Sequence, residues 1–388
     1  MDTVLLTGAA SGIGRAAARR LARGGHRCIL VDRNADALQT LANELGAPHE
    51  HRVADLTDPA QIANLTDGLP LLDALINNAG MTDDSNQPVI AQDPAAWQRL
   101  LDLNLHAPAR LLLALRERLL HGARIVNVAS GAGLRAIPWR GAYSPSKAGL
   151  IAQTRAMARD FPAYRFTVLC PGFVRTELVA ALIEAGRLDP ARAVAKIPLG
   201  RLGEPEEIGC ALAFLASAGA VALDADMLAV DGGSSVFGGS QAYPPSPRAP
   251  LPCDTPLTLR VQGPWDGPPV ECAAGGYAAV LDTRVLTRPP GQQLDAIVQA
   301  ARQAANSGPG SLTLLLPQIR SDDWESAGER AAARMLISTL ACEWGPSGAR
   351  INAVEVAAGA GPDTYLPLLR FVAGAQAQYL TGQTLGKP

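Results

Sequence analysis

Short apolar runs alternate with longer amphipathic stretches through the first three-fifths of the chain. Runs near 3–7, 27–31, 50–54, 72–77, 123–129, 165–170 and 226–230 have the length of buried strands. Stretches near 12–23, 35–45, 59–67, 95–119, 142–160, 177–186 and 205–216 predict helices. Such alternation implies a parallel sheet with helices on both faces, an α/β doubly wound architecture. The strand ends at Thr7, Asn77, Ser130 and Cys170 then share one carboxyl edge, where such sheets bind ligands.

The pattern breaks at 237–256. Gly238, Gly239, Pro244, Pro245, Pro247, Pro250, Pro252 and Pro256 give this segment a linker's composition, either extended or ordered along a domain surface. Beyond it, strands are expected near 277–282, 311–316 and 350–356, with Leu257 to Val261 as a further candidate. Helices are expected near 291–306, 323–344 and 364–375. The helix from Asp323 carries Ala327, Ala331, Met335, Ile337, Leu340, Ala341 and Trp344 as an apolar face of helical period. The expected organisation is a first domain at 1–240, a linker at 241–256 and a second lobe at 257–388.

Chemistry enters at the first turn. Val4-Leu5-Leu6-Thr7 is followed by Gly8-Ala9-Ala10-Ser11-Gly12-Ile13-Gly14 and an Ala/Arg-rich run to Arg23. Strand, glycine turn and helix in that order suit a dinucleotide. Gly8 permits the tight turn, Gly12 lets backbone amides approach a pyrophosphate, and Gly14 lets the helix pack on the strand. The helix N-terminus offers the phosphates its positive end. The spacing is Gly-x-x-x-Gly-x-Gly, not the commoner Gly-x-Gly-x-x-Gly. The second strand ends at Asp32, placed to accept ribose hydroxyls and repel a 2′-phosphate, which favours NAD over NADP. Arg33 beside it can pair with a phosphate and soften that preference.

Residues 143–147 read Tyr-Ser-Pro-Ser-Lys. Tyr143 and Lys147 stand about one helical turn apart, on one face. A free tyrosine titrates near about 10, and a lysine ammonium close by favours the phenolate and lowers that value.

In this order the motifs resemble the short-chain dehydrogenase/reductase family over residues 1 to about 235. Thr7 to Gly14 matches the family's cofactor turn, Asp55-Leu56 the pair beside the adenine, and Asn77-Asn78-Ala79-Gly80 the end of the fourth strand. Asn104, Ser130, Tyr143 and Lys147 match the four catalytic positions. Pro171, Gly172, Val174 and Thr176 match the loop at the nicotinamide end. The resemblance implies a Rossmann-like doubly wound parallel sheet. It also implies a cofactor set of Gly8, Ser11, Gly12, Ile13, Gly14, Asp32, Asp55, Leu56, Asn78, Ala79, Gly80, Tyr143, Lys147, Pro171, Gly172, Val174 and Thr176. The implied activity is NAD(H)-dependent interconversion of a secondary alcohol and a ketone. Tyr143 would transfer the proton, Ser130 orient the substrate oxygen, Lys147 lower the tyrosine pKa and hold the nicotinamide ribose, and Asn104 anchor a relay water. Pro108 bears on that last role. It lies four residues on in an apparent helix from Trp97 to about Leu119, and its missing N–H leaves the carbonyl of residue 104 without a helical partner. The other reading is that Pro108 starts a new helix.

Residues 336–354 resemble the active-site helix, turn and sixth strand of the same family, and Thr381 to Leu385 its last strand. The second lobe therefore looks like a shortened, degenerate copy. Aligned through Asp160 and Glu343, its tyrosine position falls on Ser326, its lysine position on Arg330 and its serine position near Gln318. It has no glycine turn of the first lobe's type. It is expected to bind no nucleotide and to act as a pseudo-subunit covering a dimerisation face, with two full chains forming a homodimer.

Substrate contacts are expected from Met81, Asp83, Leu134, Trp139, Phe173 and Leu178; Arg140 and Arg175 read as surface or cofactor-side residues, with the receipt of an anionic group as the other reading. The partner is a small alcohol or carbonyl compound. A net charge of −2 gives no electrostatic footprint for nucleic acid. No apolar run approaches the length of a membrane helix, and a first strand beginning by Val4 leaves no room for a signal peptide. The six cysteines (28, 170, 210, 253, 272 and 342) are scattered, which suits a cytoplasmic protein. No metal site is expected. His49 and His51 are placed beside the adenine end. The alternatives are an NADP-linked 3-oxoacyl reductase, disfavoured by Asp32, and a non-catalytic nucleotide-binding scaffold, disfavoured by the intact Ser130, Tyr143 and Lys147.

Overall fold

The computed structural model describes residues 1–268, 275–289, 291–308, 310–318, 324–357 and 359–386, with the side chains of 324–326 excepted. Cys272, Asp323 and the side chain of Ser326 lie outside the described residues. The strands are β1 (Thr3–Thr7), β2 (Arg27–Asp32), β3 (Glu50–Val53), β4 (Leu72–Asn77), β5 (Leu119–Val128), β6 (Arg165–Pro171), β7 (Asp226–Val230), β8 (Leu257–Gln262), β9 (Tyr277–Asp282), β10 (Ser311–Pro317), β11 (Arg350–Val356) and β12 (Thr384–Leu385). The helices are α1 (Gly12–Arg23), α2 (Ala35–Leu45), α3 (Pro59–Asn64), α4 (Pro94–Leu101), α5 (Ala107–Leu115), α6 (Tyr143–Asp160), α7 (Glu177–Glu184), α8 (Pro190–Val194), α9 (Pro205–Leu215), α10 (Gln293–Ser307), α11 (Trp324–Trp344) and α12 (Pro362–Ala373).

The larger sheet has the order β3-β2-β1-β4-β5-β6-β7. Its pairs from β3 to β6 are parallel. The apolar runs explain the centre: β1 is buried along its whole length, as a parallel strand covered on both faces must be. A second sheet has the order β12-β11-β10-β9-β8, and all its pairs are parallel.

The single helix expected over 95–119 is three pieces. Between α4 and α5 lies a π-helical turn, Asp102–His106, in which the Ala107 amide donates to the carbonyl of Asp102. Pro108 follows this wide turn; the backbone stays helical through Leu101, His106 and Ala107, so the helix widens ahead of the proline instead of beginning anew. Leu119 leaves the helix because it pairs with Leu72 across the sheet. The short α8 was not anticipated, although Asp189 before Pro190 is a capping signal; its carboxylate accepts the Ala191 amide at 2.9 Å.

The chain falls into two compact units, Met1–Leu188 with Glu204–Ala218, and Asp189–Gly203 with Gly219–Pro388. The second unit thus takes in β7 and the segment before α9. Within it, Tyr379 is fully buried between glycines: a Cβ on Gly203 would stand 2.6 Å from its ring, and one on Gly232 2.7 Å. The tyrosine hydroxyl donates to the Arg201 carbonyl at 3.0 Å, and the Gly232 amide donates to the Tyr379 carbonyl at 2.9 Å. The 241–256 segment is ordered in the same unit, its Tyr243 and Ser246 amides bonded to the carbonyls of Ala195 and Gly200.

The apolar face read for α11 is only partly the buried one. Ala333, Ile337 and Ala341 form the buried stripe and pack on their own sheet with Leu312, Leu314 and Ile351. Met335 is 66% exposed. Residues four apart share a face, so Ile337 fixes the stripe, and Met335, two positions away, turns outward.

Candidate active site

Thr7 closes β1, and its hydroxyl accepts the amides of Asn78 at 3.0 Å and Ala79 at 3.1 Å. The Asn78 side chain returns hydrogen bonds to the carbonyls of Thr7 and Gly8. The glycine turn is thereby pinned to the end of β4, with no room for side chains. A Cβ on Gly14 would stand 1.8 Å from the Gly8 carbonyl oxygen, and one on Gly8 2.8 Å from the Ala79 Cα. Helix α1 therefore starts close against the sheet, its first turn facing a cavity of about 340 Å³.

That cavity gathers Gly8, Ser11, Gly12, Ile13 and Gly14 with Asp32, Asp55, Leu56, Asn78, Ala79, Gly80 and Thr176. Tyr143, Lys147, Pro171, Gly172 and Val174 lie outside its lining. Met81 and Leu178, expected at the substrate end, line it too, as do Ala54, Leu103 and Glu177. Both Asp32 oxygens accept backbone amides, those of Ala10 and Asn34 at 3.0 Å each. Asp55 takes the amide and hydroxyl of Thr57, and the amide bond holds its carboxyl below the usual range. His49 and His51 do not line this cavity; His49 Nδ1 instead accepts the Cys28 amide at 3.2 Å.

Glu177 was not foreseen as a site residue. It opens α7 and reaches the glycine turn, where Oε2 accepts the Gly12 amide at 3.0 Å and the carboxylate pairs with Arg15. Burial pushes its carboxyl up, but hydrogen bonds from its own amide, Arg15 and Gly12 more than offset this and hold it below the usual range. A carboxylate thus stands where the start of a helix attracts an anion.

Tyr143 opens α6, half-buried, with its side chain hydrogen-bonded to Ser130. Ser130 caps the short turn Gly131–Gly133, its Oγ accepting the Ala132 amide at 3.1 Å. One turn along α6, Lys147 is buried and its Nζ donates to the Val128 carbonyl at 2.9 Å. Asn104 is fully buried in the π turn. Its Nδ2 donates to the Met81 carbonyl at 2.8 Å and to Ser146 Oγ at 3.2 Å, and its Oδ1 accepts the Met81 amide at 2.9 Å. A Cβ on Gly80 would sit 3.3 Å from both Lys147 Nζ and Asn104 Oδ1, so the bare glycine keeps these groups against the strand end. Pro171 ends β6, Gly172 and Val174 follow it, and Thr176 caps α7.

Burial drives the Lys147 ammonium down to about 8. Burial raises the Tyr143 phenol above its ordinary value; the Ser130 hydrogen bond and the Arg140 guanidinium pull it back. Lys147, expected to lower the tyrosine pKa, lies one turn away with its Nζ on the Val128 carbonyl, and Arg140 is a further cation that pulls the phenol down. An amine that sheds its proton near 8 is neutral before an ordinary phenol titrates. Of the other substrate candidates, Asp83 is buried, Leu134 and Phe173 are half-buried, and Trp139 and Leu178 are exposed. Arg175 is committed to Glu204 at 3.1 Å.

No helix among the described residues is long and apolar enough to cross a membrane. Residues 8–235 match the family profile described as enoyl-(acyl carrier protein) reductase. An uncharacterized short-chain type dehydrogenase/reductase of Sinorhizobium fredii is 37% identical over 238 residues; the match covers 59% of this chain and 43% of that protein. The 3-oxoacyl-(acyl-carrier-protein) reductase FabG of Escherichia coli is 34% identical, over 59% of this chain and 95% of that protein. Actinorhodin polyketide ketoreductase, solved with NADPH, is similar at a TM-score of 0.56 and 30% identity, over 61% of this chain and 98% of its own. With sheet order, glycine turn and a match across more than half its length in agreement, the chain belongs to the short-chain dehydrogenase/reductase family.

Proposed function

We propose that the protein is an NAD(H)-dependent oxidoreductase interconverting a small secondary alcohol and its ketone. The observation that carries this reading is the Tyr143–Ser130 hydrogen bond, one turn from the buried Lys147. The residues around the cavity fit a nicotinamide dinucleotide. The glycine turn excludes side chains where a pyrophosphate would lie, and Asp32 faces the position of a ribose. When bound, the nicotinamide supplies or accepts a hydride at C4. Tyr143 gives its proton to the carbonyl oxygen in reduction and takes the alcohol proton in oxidation. Ser130 holds that oxygen, and Lys147 holds ribose hydroxyls. Asn104, whose side chain is committed to Met81 and Ser146, keeps the π turn against α6 on the path of a proton relay.

Residues 1–240 are read as the catalytic domain, 241–256 as its linker and 257–388 as a shortened non-catalytic copy. Two features support the copy: β8 to β12 repeat the spatial order β1-β4-β5-β6-β7, and α10, α11 and α12 fall in the corresponding gaps. The copy is read as a pseudo-subunit, in keeping with the packing of Tyr379 against Gly203 and Gly232, and a homodimer of two chains is the assembly proposed for it. Cys28, Cys170, Cys210, Cys253 and Cys342 form no disulfide among the described residues, which suits the reducing cytoplasm.

A second reading, an NADPH-linked reductase of 3-oxoacyl thioesters, draws on the similarity to FabG and the polyketide ketoreductase and on Arg33 in the cavity wall. Titration with NADH and NADPH, followed by absorbance assays on secondary alcohols, ketones and oxoacyl thioesters, separates the two. Tighter NADH binding and turnover of simple ketones are expected. Tighter NADPH binding overturns the NAD assignment, and no hydride exchange with either cofactor overturns the enzyme reading.

A further inference from the structure

Arg140 is a buried cation beside the reacting tyrosine that the chemistry above leaves unused. Its side chain is only 9% exposed. Nη2 donates to the Arg187 carbonyl at 3.2 Å, but Nη1 is buried with no hydrogen-bond partner. Such a nitrogen has lost its water and gained nothing in return, a cost that calls for an explanation wherever a fold retains it. The backbone that presents it is also costly. Trp139 holds a φ of +56°, a region that large side chains avoid, and Gly141 holds +53°. A Cβ on Gly141 would meet the Gln92 Oε1 at 2.8 Å and the Asp83 Cβ at 3.0 Å. The loop is thus wound tightly on both sides of Arg140, three residues before Tyr143, whose amide donates to the Arg140 carbonyl at 3.0 Å.

The charges around Arg140 define what Nη1 can receive. Asp83 is the acid facing it, but its oxygens already accept the Ser85 hydroxyl at 2.8 and 3.0 Å, with the Asn86 amide and Gln92 side chain beyond. Among the described residues no Asp83 hydrogen bond goes to Arg140. Arg187 adds a second positive charge at the same point. A single negative charge balances this set, whereas a dianion would meet Asp83 unshielded. A guanidinium edge suits the carboxylate geometry and keeps its charge at every working pH.

We propose, resting on Tyr143 as the proton carrier, that Arg140 receives a carboxylate of the substrate, which makes the substrate class small oxo acids and their hydroxy acids. The carboxylate is a spectator. No bond to it forms or breaks while the carbonyl carbon gains a hydride and the carbonyl oxygen gains the Tyr143 proton. Fixing it sets the distance at which the carbonyl meets Tyr143, so oxo acids of one chain length are preferred.

The test compares pyruvate, acetoacetate and levulinate with their methyl esters on the full chain. At least one acid should exceed its ester in kcat/KM by roughly ten- to hundred-fold, the worth of a charge-assisted hydrogen bond. In Arg140→Gln that ratio should collapse toward one, chiefly through KM, and Arg140→Lys should restore part of it. Calorimetric titration of the same acids and esters onto the NAD-loaded protein gives a readout independent of turnover. Acid binding lost in Arg140→Gln supports the proposal, and equal binding of acid and ester overturns it. Brisk turnover of neutral ketones with no acid preference in the unaltered chain also overturns it, while leaving the oxidoreductase reading intact. If no compound turns over but the acids bind through Arg140, the chemistry assigned to Tyr143 fails instead.

Discussion

Each lobe buries an arginine, and the two are completed in opposite ways. Arg350 begins β11 and is 1% exposed. Its guanidinium donates to the carbonyls of Val372, Ala373, Gly374, Ala377 and Leu380 at 2.8–3.2 Å, and its Nε to the Tyr277 hydroxyl at 3.0 Å. Several of these are the carbonyls that the end of α12 leaves without helical partners, so the cation also meets the negative end of the helix. Nothing of Arg350 is left over for a ligand. Arg140 keeps a nitrogen unspent beside Tyr143. The same contrast runs through the long helices. α6 brings Tyr143 and Lys147 to the carboxyl edge, whereas α11 buries Ala333, Ile337 and Ala341 against its own sheet. A working site holds donors in reserve at a cost in stability; a scaffold uses them up.

The largest effect that sharpens this contrast is chemical. Tyr143→Phe should lower kcat by about a thousand-fold or more while cofactor still binds. Arg330→Ala, at the position that the proposed copy aligns with Lys147, should leave each turnover nearly unchanged. Comparable losses in both, read by steady-state rates beside a cofactor titration, would erase the division between the lobes.

Next comes stability. Arg350→Met strands several buried carbonyls and should cost on the order of 4 kcal/mol in denaturant unfolding. Arg140→Met loses one hydrogen bond and relieves one orphan, so its cost should stay within about 1 kcal/mol. Equal costs would mean that Arg140 is as structural as Arg350.

The smallest effect is in pH. Lys147 releases its proton near 8 instead of at its ordinary 10.5, because burial disfavours the ammonium. In the proposed role the charged amine holds the ribose hydroxyls, so cofactor affinity should fall severalfold as pH rises through about 8. The linkage sign is opposite for folding. The native chain gives up this proton first, so this group adds stability as pH climbs from about 8 toward 10.5. A flat cofactor affinity between pH 7 and 9 would show the amine to be charged throughout.

Much of the first lobe was legible because its signals are local. A buried parallel strand is an apolar run, and the turn after β1 needs glycine where backbones touch. Tyr143 and Lys147 share a helix face by spacing alone. What stayed hidden depends on distant parts of the chain. Glu177 meets Gly12 across 165 positions. The burial of Arg140 comes from a loop wound through positive φ at Trp139, which no propensity marks. Leu119 reads as helix until Leu72 claims it. In α11 the apolar residues run nearly all round, so the sequence alone could not say that Met335 faces out and Ala333 in.

Tyr379 bears on how the chain comes off the ribosome. Its carbonyl holds the Gly232 amide, and its ring fills the slot between Gly203 and Gly232. The two ends of that contact are about 150 residues apart, so at roughly 5–20 residues per second β7's surroundings wait on the order of ten seconds for completion. Contacts of such separation form late and slowly. Until then the slot lacks its tyrosine, and exchange of C-terminal segments between copies is the kind of misassembly that so distant a contact permits.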